Sequence, residues 1–194
     1  MNTKLGLMAV LLASLPVAAA VADDANMLDR NVKQEQRIEQ GLQSGSLNTK
    51  EAARLEKGEA RIDQMEARAA RDGKIGKNEA ARIRQAQDAE SRAIHDEKHD
   101  AQRGNPNSAS SRRMQADVQR DINQQSRIRN GVADGSLTTH EAGRMERQQA
   151  HDDRLQARAG ADGHVGAHEQ RHIAMSEDRS SRHIWRQRHD AQHN

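Results

Sequence analysis

Residues 40–69 read QGLQSGSLNTKEAARLEKGEARIDQMEARA, and residues 130–159 read NGVADGSLTTHEAGRMERQQAHDDRLQARA. Both stretches contain the same punctuation. Gly45 and Gly135 suit the left-handed residue that ends a helix, and each is followed two positions on by an aliphatic residue, Leu47 or Leu137. Asn48-x-x-Glu51 and Thr138-x-x-Glu141 then have the form of a capping box, in which a side-chain oxygen and an acidic side chain satisfy the free amides of a new helix. After the box in the first stretch, Ala52, Leu55, Ile62, Met65 and Ala69 fall on one stripe at helical spacing. The pattern predicts a helix, a tight glycine loop and a second amphipathic helix.

The pattern extends in both directions. Adding 90 to each residue number maps Arg30–Gln102 onto Arg120–Gln192 without a gap. The clearest identities outside the quoted stretches are Asp72-Gly73 with Asp162-Gly163, and His99-Asp100-Ala101-Gln102 with His189-Asp190-Ala191-Gln192. Leu28, Val32, Ile38 and Leu42 mark a helix before the first loop. Ile83 and Ile94 mark a third helix after a second break at Gly73. The expected fold is therefore all-α: two tandem copies of a three-helix unit built from αα-hairpins. The expected organisation is a signal peptide at 1–22, repeat unit 1 at 23–102, a turn-rich linker at 103–112 and a His-rich repeat unit 2 at 113–194.

The N-terminal segment carries the three parts of a secretory signal: Lys4, the apolar run Leu5 to Val17, and Ala20-Val21-Ala22 as a small-x-small cleavage pattern. The apolar run is short for a membrane span and no later segment replaces it. The periplasm is the expected compartment, with secretion the alternative and no transmembrane segment in the mature chain. Among 194 residues there is no Cys, Phe or Tyr and one Trp, so neither a disulfide framework nor an aromatic pocket is available. Mean hydropathy is −1.08, and large aliphatic residues are few, so thin helices with small cores are expected. Acids and bases are interspersed, with a formal net charge of +2. They read as solvated helix faces, and nucleic acid is not an expected partner because no concentrated basic face is visible.

The loops also resemble degenerate EF-hands. Gly, aliphatic and Glu stand at the sixth, eighth and twelfth loop positions in Gly45/Leu47/Glu51, Gly73/Ile75/Glu79, Gly135/Leu137/Glu141 and Gly163/Val165/Glu169. The first-position calcium ligand is replaced by Gln40, Arg68, Asn130 and Arg158 and the third by Leu42, Ala70, Val132 and Gly160, so calcium is not an expected cofactor. More broadly, G-x-L-x-x-x-E in helical hairpins, closed by S-R-x-I-x-x-x-x-H-D-A-Q, resembles an uncharacterised family of exported proteobacterial helical repeat proteins. That resemblance implies the fold and export, and no activity.

Histidine gives the functional lead. The first copy holds His95 and His99; the second holds the other eight of the ten. His168, His172 and Met175 share one face of the third helix at i, i+4 and i+7. Their counterparts Asn78, Arg82 and Gln85 are polar, which places this face in solvent. His140 and His164 belong to the two loops of the same copy and would converge with them if the loops pair. Imidazole suits copper, nickel or zinc, and a thioether favours copper in its lower oxidation state. The expected metal ligands are thus His140, His164, His168, His172 and Met175. The expected function is non-enzymatic metal binding, as a buffer or sensor of copper, nickel or zinc. The alternative is a helical interaction or envelope-stress protein that contacts another envelope protein. His168-Glu169-Gln170-Arg171-His172 also fits the H-E-x-x-H spacing of zinc proteases, but catalysis needs a third ligand and a cleft that the composition does not promise, so no enzyme is expected.

Overall fold

The structure, a computed structural model, describes residues 15–190, with side chains from Asp23 onward. The expected signal peptide lies outside the described residues over positions 1–14; positions 15–22 fall in the first turns of a long helix. The described residues form six α-helices and no strand: α1 Leu15–Ser44, α2 Thr49–Ala69, α3 Lys77–His99, α4 Ala109–Ala133, α5 Thr139–Ala159 and α6 Ala167–Arg188, with a 3-10 turn at Ala70–Asp72 after α2. The all-α reading holds.

The breaks fall where the sequence puts them. Gly45, Gly73, Gly135 and Gly163 all have positive φ, between 73° and 90°, a conformation that costs a side chain roughly 1–2 kcal/mol. In the two hairpin loops the closing bond is the same, Leu47 N–H to Gly41 O and Leu137 N–H to Gly131 O, both 2.9 Å. Asn48 Oδ1 accepts from Glu51 N–H while Glu51 Oε2 accepts from Asn48 N–H at 2.9 Å. Thr138 and Glu141 repeat this arrangement. Glu79 and Glu169 likewise accept the Gly76 and Gly166 amides, at 2.9 and 2.8 Å. All four loop-ending glutamates therefore serve as helix caps.

α4 begins inside the segment read as a linker, because Ser108 Oγ accepts the Ser111 amide and starts the helix early. The connection before it packs against the first loop: Gly104 N–H donates to Gly45 O. A Cβ at Gly104 would lie 2.3 Å from Leu47 O, so only glycine fits.

Two of the three helix pairs related by the 90-residue shift form the central layer, α1 against α4 and α2 against α5, while α3 flanks α1 and α2 and α6 flanks α4 and α5. The α2/α5 pair runs antiparallel and touches at small residues. Gly143 lies against Ala70, and Gly160 lies against Ala53, so the same two positions exchange roles at the two ends of the contact. Arg129 on α4 reaches Asp29 on α1 at 2.7 Å and ties the other pair. The apolar interior divides into three clusters. The largest joins Ile38, Leu42, Leu47 and Leu55 to Met114, Val118 and Ile173 of the second half; the others centre on Ile128, Leu137 and Met145 and on Ile62 and Ile83. The material between them is polar.

Candidate site: carboxylates buried between the helices

α2 carries Glu56, Glu59, Asp63 and Glu66 at spacings of 3, 4 and 3, which places them on one helix face. That face points inward, and all four side chains are buried. α5 brings Glu146, Gln149, Asp153 and Gln156, their counterparts under the 90-residue shift. α1 adds Asn31, Gln34 and Glu35; α4 adds Asp121, Gln124 and Gln125. All of these are buried as well. The charged positions read as solvated faces from the sequence are, on this side of the helices, the interior.

Three groups of three carboxyls converge so that one oxygen of each lies within 4.8 Å of the others; one of them, Glu51, Glu97 and Asp100, is partly exposed near the first hairpin loop, and the other two are fully buried. The first buried group joins Glu35, Glu56 and Asp153, which are 2%, 0% and 2% exposed. Both oxygens of Glu56, Glu35 Oε2 and Asp153 Oδ2 receive no hydrogen bond. Beside them Glu59 is equally buried, and neither of its oxygens has a donor. The second buried group joins Asp63, Glu66 and Glu146, and here donors are present. Gln125 Nε2 lies 3.3 Å from each Asp63 oxygen and 3.2 Å from Glu146 Oε2. Asn31 Nδ2 donates to Glu66 Oε2 at 2.9 Å. A third polar set, Asp121, Gln156 and Glu177, is the shifted image of Asn31, Glu66 and Gln87 with acids and amides exchanged; Gln156 donates to both acids.

The ion pairs among the described residues lie almost entirely outside this layer. Arg120 holds Glu177 at 2.9 Å, and no Lys or Arg pairs with either buried three-carboxyl group. Burial without a counter-charge disfavours the ionised form. Glu35 is pushed up to about 8 by burial, reinforced by the charges of Glu90 and Glu39. Burial also holds Glu56, Asp63 and Asp153 well above the usual carboxylate range. Glu146 rises to about 7, burial outweighing the hydrogen bonds from Gln125 and Asp63. Such a cluster has two stable conditions: it keeps its protons, or it exchanges them for a cation.

The histidine positions lie elsewhere. His168 and His172 face each other across one turn of α6, their Nε2 atoms 3.3 Å apart. Both are exposed, and Met175 is 63% exposed. The solvent-side reading of this face holds. His140, at the start of α5, and His164, in the loop before α6, are also exposed. Among the described residues the groups of three or more metal-ligating His, Cys, Asp or Glu side chains contain carboxylates alone, so His140 and His164 do not complete a three-ligand set with the α6 pair. Glu169, the central acid of the H-E-x-x-H sequence, is bound to the Gly166 amide.

A further surface departs from the even charge distribution read in the sequence. Lys50, Arg54, Lys57, Arg61, Arg154 and Arg158 line one open groove along the outer α2/α5 seam, over a floor that includes Ala53 and Ala60. No protein-family model, curated protein or solved structure matches this chain, and no described helix is long and apolar enough to cross a membrane.

Proposed function

We propose that this chain is a non-enzymatic, periplasmic metal-binding protein whose principal ligands are the interior carboxyls. The observation that carries this reading is the Glu35/Glu56/Asp153 group: three convergent buried acids with no ion pair, in which both oxygens of Glu56, Glu35 Oε2 and Asp153 Oδ2 receive no hydrogen bond. A buried carboxylate without a partner is strongly unfavourable. A hard divalent cation such as Mn2+, Mg2+ or Ca2+, which takes oxygen ligands, removes that penalty, and its binding would displace the protons held at neutral pH. Placement on rigid helices favours a preset ligand geometry. Export, read from the N-terminal segment, supports the compartment, and a buffering or sensing role follows from a site closed to substrates.

Titration calorimetry of the full chain tests this. Saturable binding of Mn2+, lost in Glu56→Gln with helicity retained, is the expected result. Unchanged binding in Glu56→Gln sinks the interior assignment.

A second reading rests on its own observation, the His168/His172 pair with the exposed Met175 beside it. Two imidazoles one turn apart suit copper, nickel or zinc. Binding of those metals that disappears in the His168→Ala, His172→Ala double variant, and survives Glu56→Gln, would assign them to the α6 surface.

A further inference from the structure

We infer that the interior takes one cation, not two: the ion belongs to Glu35, Glu56 and Asp153, and at the matching place in the other half the side-chain amide of Gln125 stands where an ion would otherwise be required. This inference rests on the metal-binding reading above and says how the two halves divide the work.

The 90-residue shift turns Glu35, Glu56 and Asp153 into Gln125, Glu146 and Asp63. Two of the three positions keep their acids; the third changes from carboxyl to amide. The consequence is visible in the hydrogen bonds. An amide nitrogen carries two N–H donors, and Gln125 Nε2 lies within 3.2–3.3 Å of three carboxyl oxygens, on Asp63 and Glu146. It supplies partial positive charge at the centre of its acids, as a cation does. In the first group the equivalent position is an oxygen of Glu35: Glu35 Oε2, both oxygens of Glu56 and Asp153 Oδ2 receive no hydrogen bond, and Asp153 shares one only with the neighbouring acid Asp63.

Glu59 supplies a second observation. It is not one of the three convergent acids, yet it is fully buried and both of its oxygens lack donors. Its counterpart in the other half is the neutral Gln149. Acidic side chains with unfilled acceptors are thus concentrated on the Glu35 side. Amides are concentrated on the Gln125 side, where Asn31 and Gln87 also donate to Glu66.

The test is the Mn2+ stoichiometry of the full chain at pH 8, measured by calorimetry and by the loss of the free-ion electron paramagnetic resonance signal. One ion per chain is expected for the wild type. Glu35→Gln places an amide in the first group as Gln125 does in the second. It should abolish the ion and raise the melting temperature of the metal-free protein at pH 8, a readout independent of binding. Gln125→Glu should create a second equivalent. Two ions in the wild type would overturn the inference while leaving the metal-binding reading intact; none would overturn both. One ion that survives Glu35→Gln and is lost in Glu146→Gln would put the cation in the wrong group and overturn the inference. Should Gln125→Glu not fold, Glu35→Gln decides alone: retained binding, or a lowered melting temperature, counts against the inference.

Discussion

Around Glu35 and around Gln125 the same helix positions meet, and the two places differ chiefly in one functional group. The Gln125 side has an amide that donates to its central acids, leaving Glu146 Oε1 as the one unfilled carboxyl oxygen among Asp63, Glu66 and Glu146. The Glu35 side has a carboxyl at that position and is left with acceptors that nothing fills. The comparison teaches that a buried acidic cluster is defined less by its acids than by the presence or absence of a donor among them. Replacing one N–H2 group by oxygen converts a structural network into a group that must hold protons or a metal.

The most drastic way to break the comparison is to separate the halves. Each half buries its acids against the other, through α1/α4 and α2/α5. Residues 23–102 expressed alone should not fold as a stable monomer. Circular dichroism with sedimentation should show lost helicity or self-association; a cooperative monomeric melt would contradict the packing argument.

Next in size is pH. Folded-state values are raised above the ordinary carboxylate range at Glu35 and Glu177, each to about 8, and at Glu146, Asp117 and Glu90, each to about 7. Groups raised in this way stabilise the fold fully below their unfolded value, near 4.3 for Glu, and lose that contribution as pH climbs through the folded value. Between those limits each such group costs about 1.4 kcal/mol per pH unit. The metal-free protein should therefore be more stable at pH 5 than at pH 8, measured as urea midpoints across that range. In Glu35→Gln the decline should be shallower, whereas Glu177→Gln tests the Arg120-paired acid on the other side. A profile that rises from pH 5 to pH 8 without metal would refute the burial of these acids.

Smaller effects come from the ends of the α2/α5 contact. A Cβ at Gly143 would lie 2.5 Å from the Ala70 Cβ, and one at Gly160 would lie 2.7 Å from the Ala53 Cβ. Gly143→Ala should cost about 1–3 kcal/mol by overpacking, at the end near Glu66 and Glu146. Gly160→Ala should cost a similar amount at the end near Glu56 and Asp153. Unequal costs would show that one side yields more easily. The smallest effect is expected at the caps: Asn48→Ala and Thr138→Ala should each cost about 1 kcal/mol, read as shifts in urea midpoint.

Much of the fold was legible because helix ends are written in local chemistry. Gly45, Gly73, Gly135 and Gly163 each sit at left-handed φ, and Glu51 and Glu141 close the capping boxes as the spacing indicated. Leu28, Val32, Ile38 and Leu42 are buried as their periodicity implied. The site was not legible in the same way. Hydropathy assigns Glu56, Glu59, Asp63 and Glu66 to solvent, and only their packing against α5 reverses this. One signal was present in the repeat: Asn31/Asp121, Glu35/Gln125, Glu66/Gln156 and Gln87/Glu177 exchange acid for amide at nearly constant shape. Such exchanges suit hydrogen-bonded interior positions better than free surface ones. The histidines drew attention through their number and lie on the exterior, where shape places few demands on them.

The central claim is that interior acids hold protons until a cation replaces them, and proton release measures this most directly. Mn2+ binding to the full chain at pH 7.5, followed by calorimetry in buffers of different ionisation enthalpy, gives the number of protons released per ion. Burial pushes Glu35 up to about 8, and Glu56 and Asp153 are raised beside it, so about one proton or more per ion is expected. Mn2+ binding with no proton release would contradict the account.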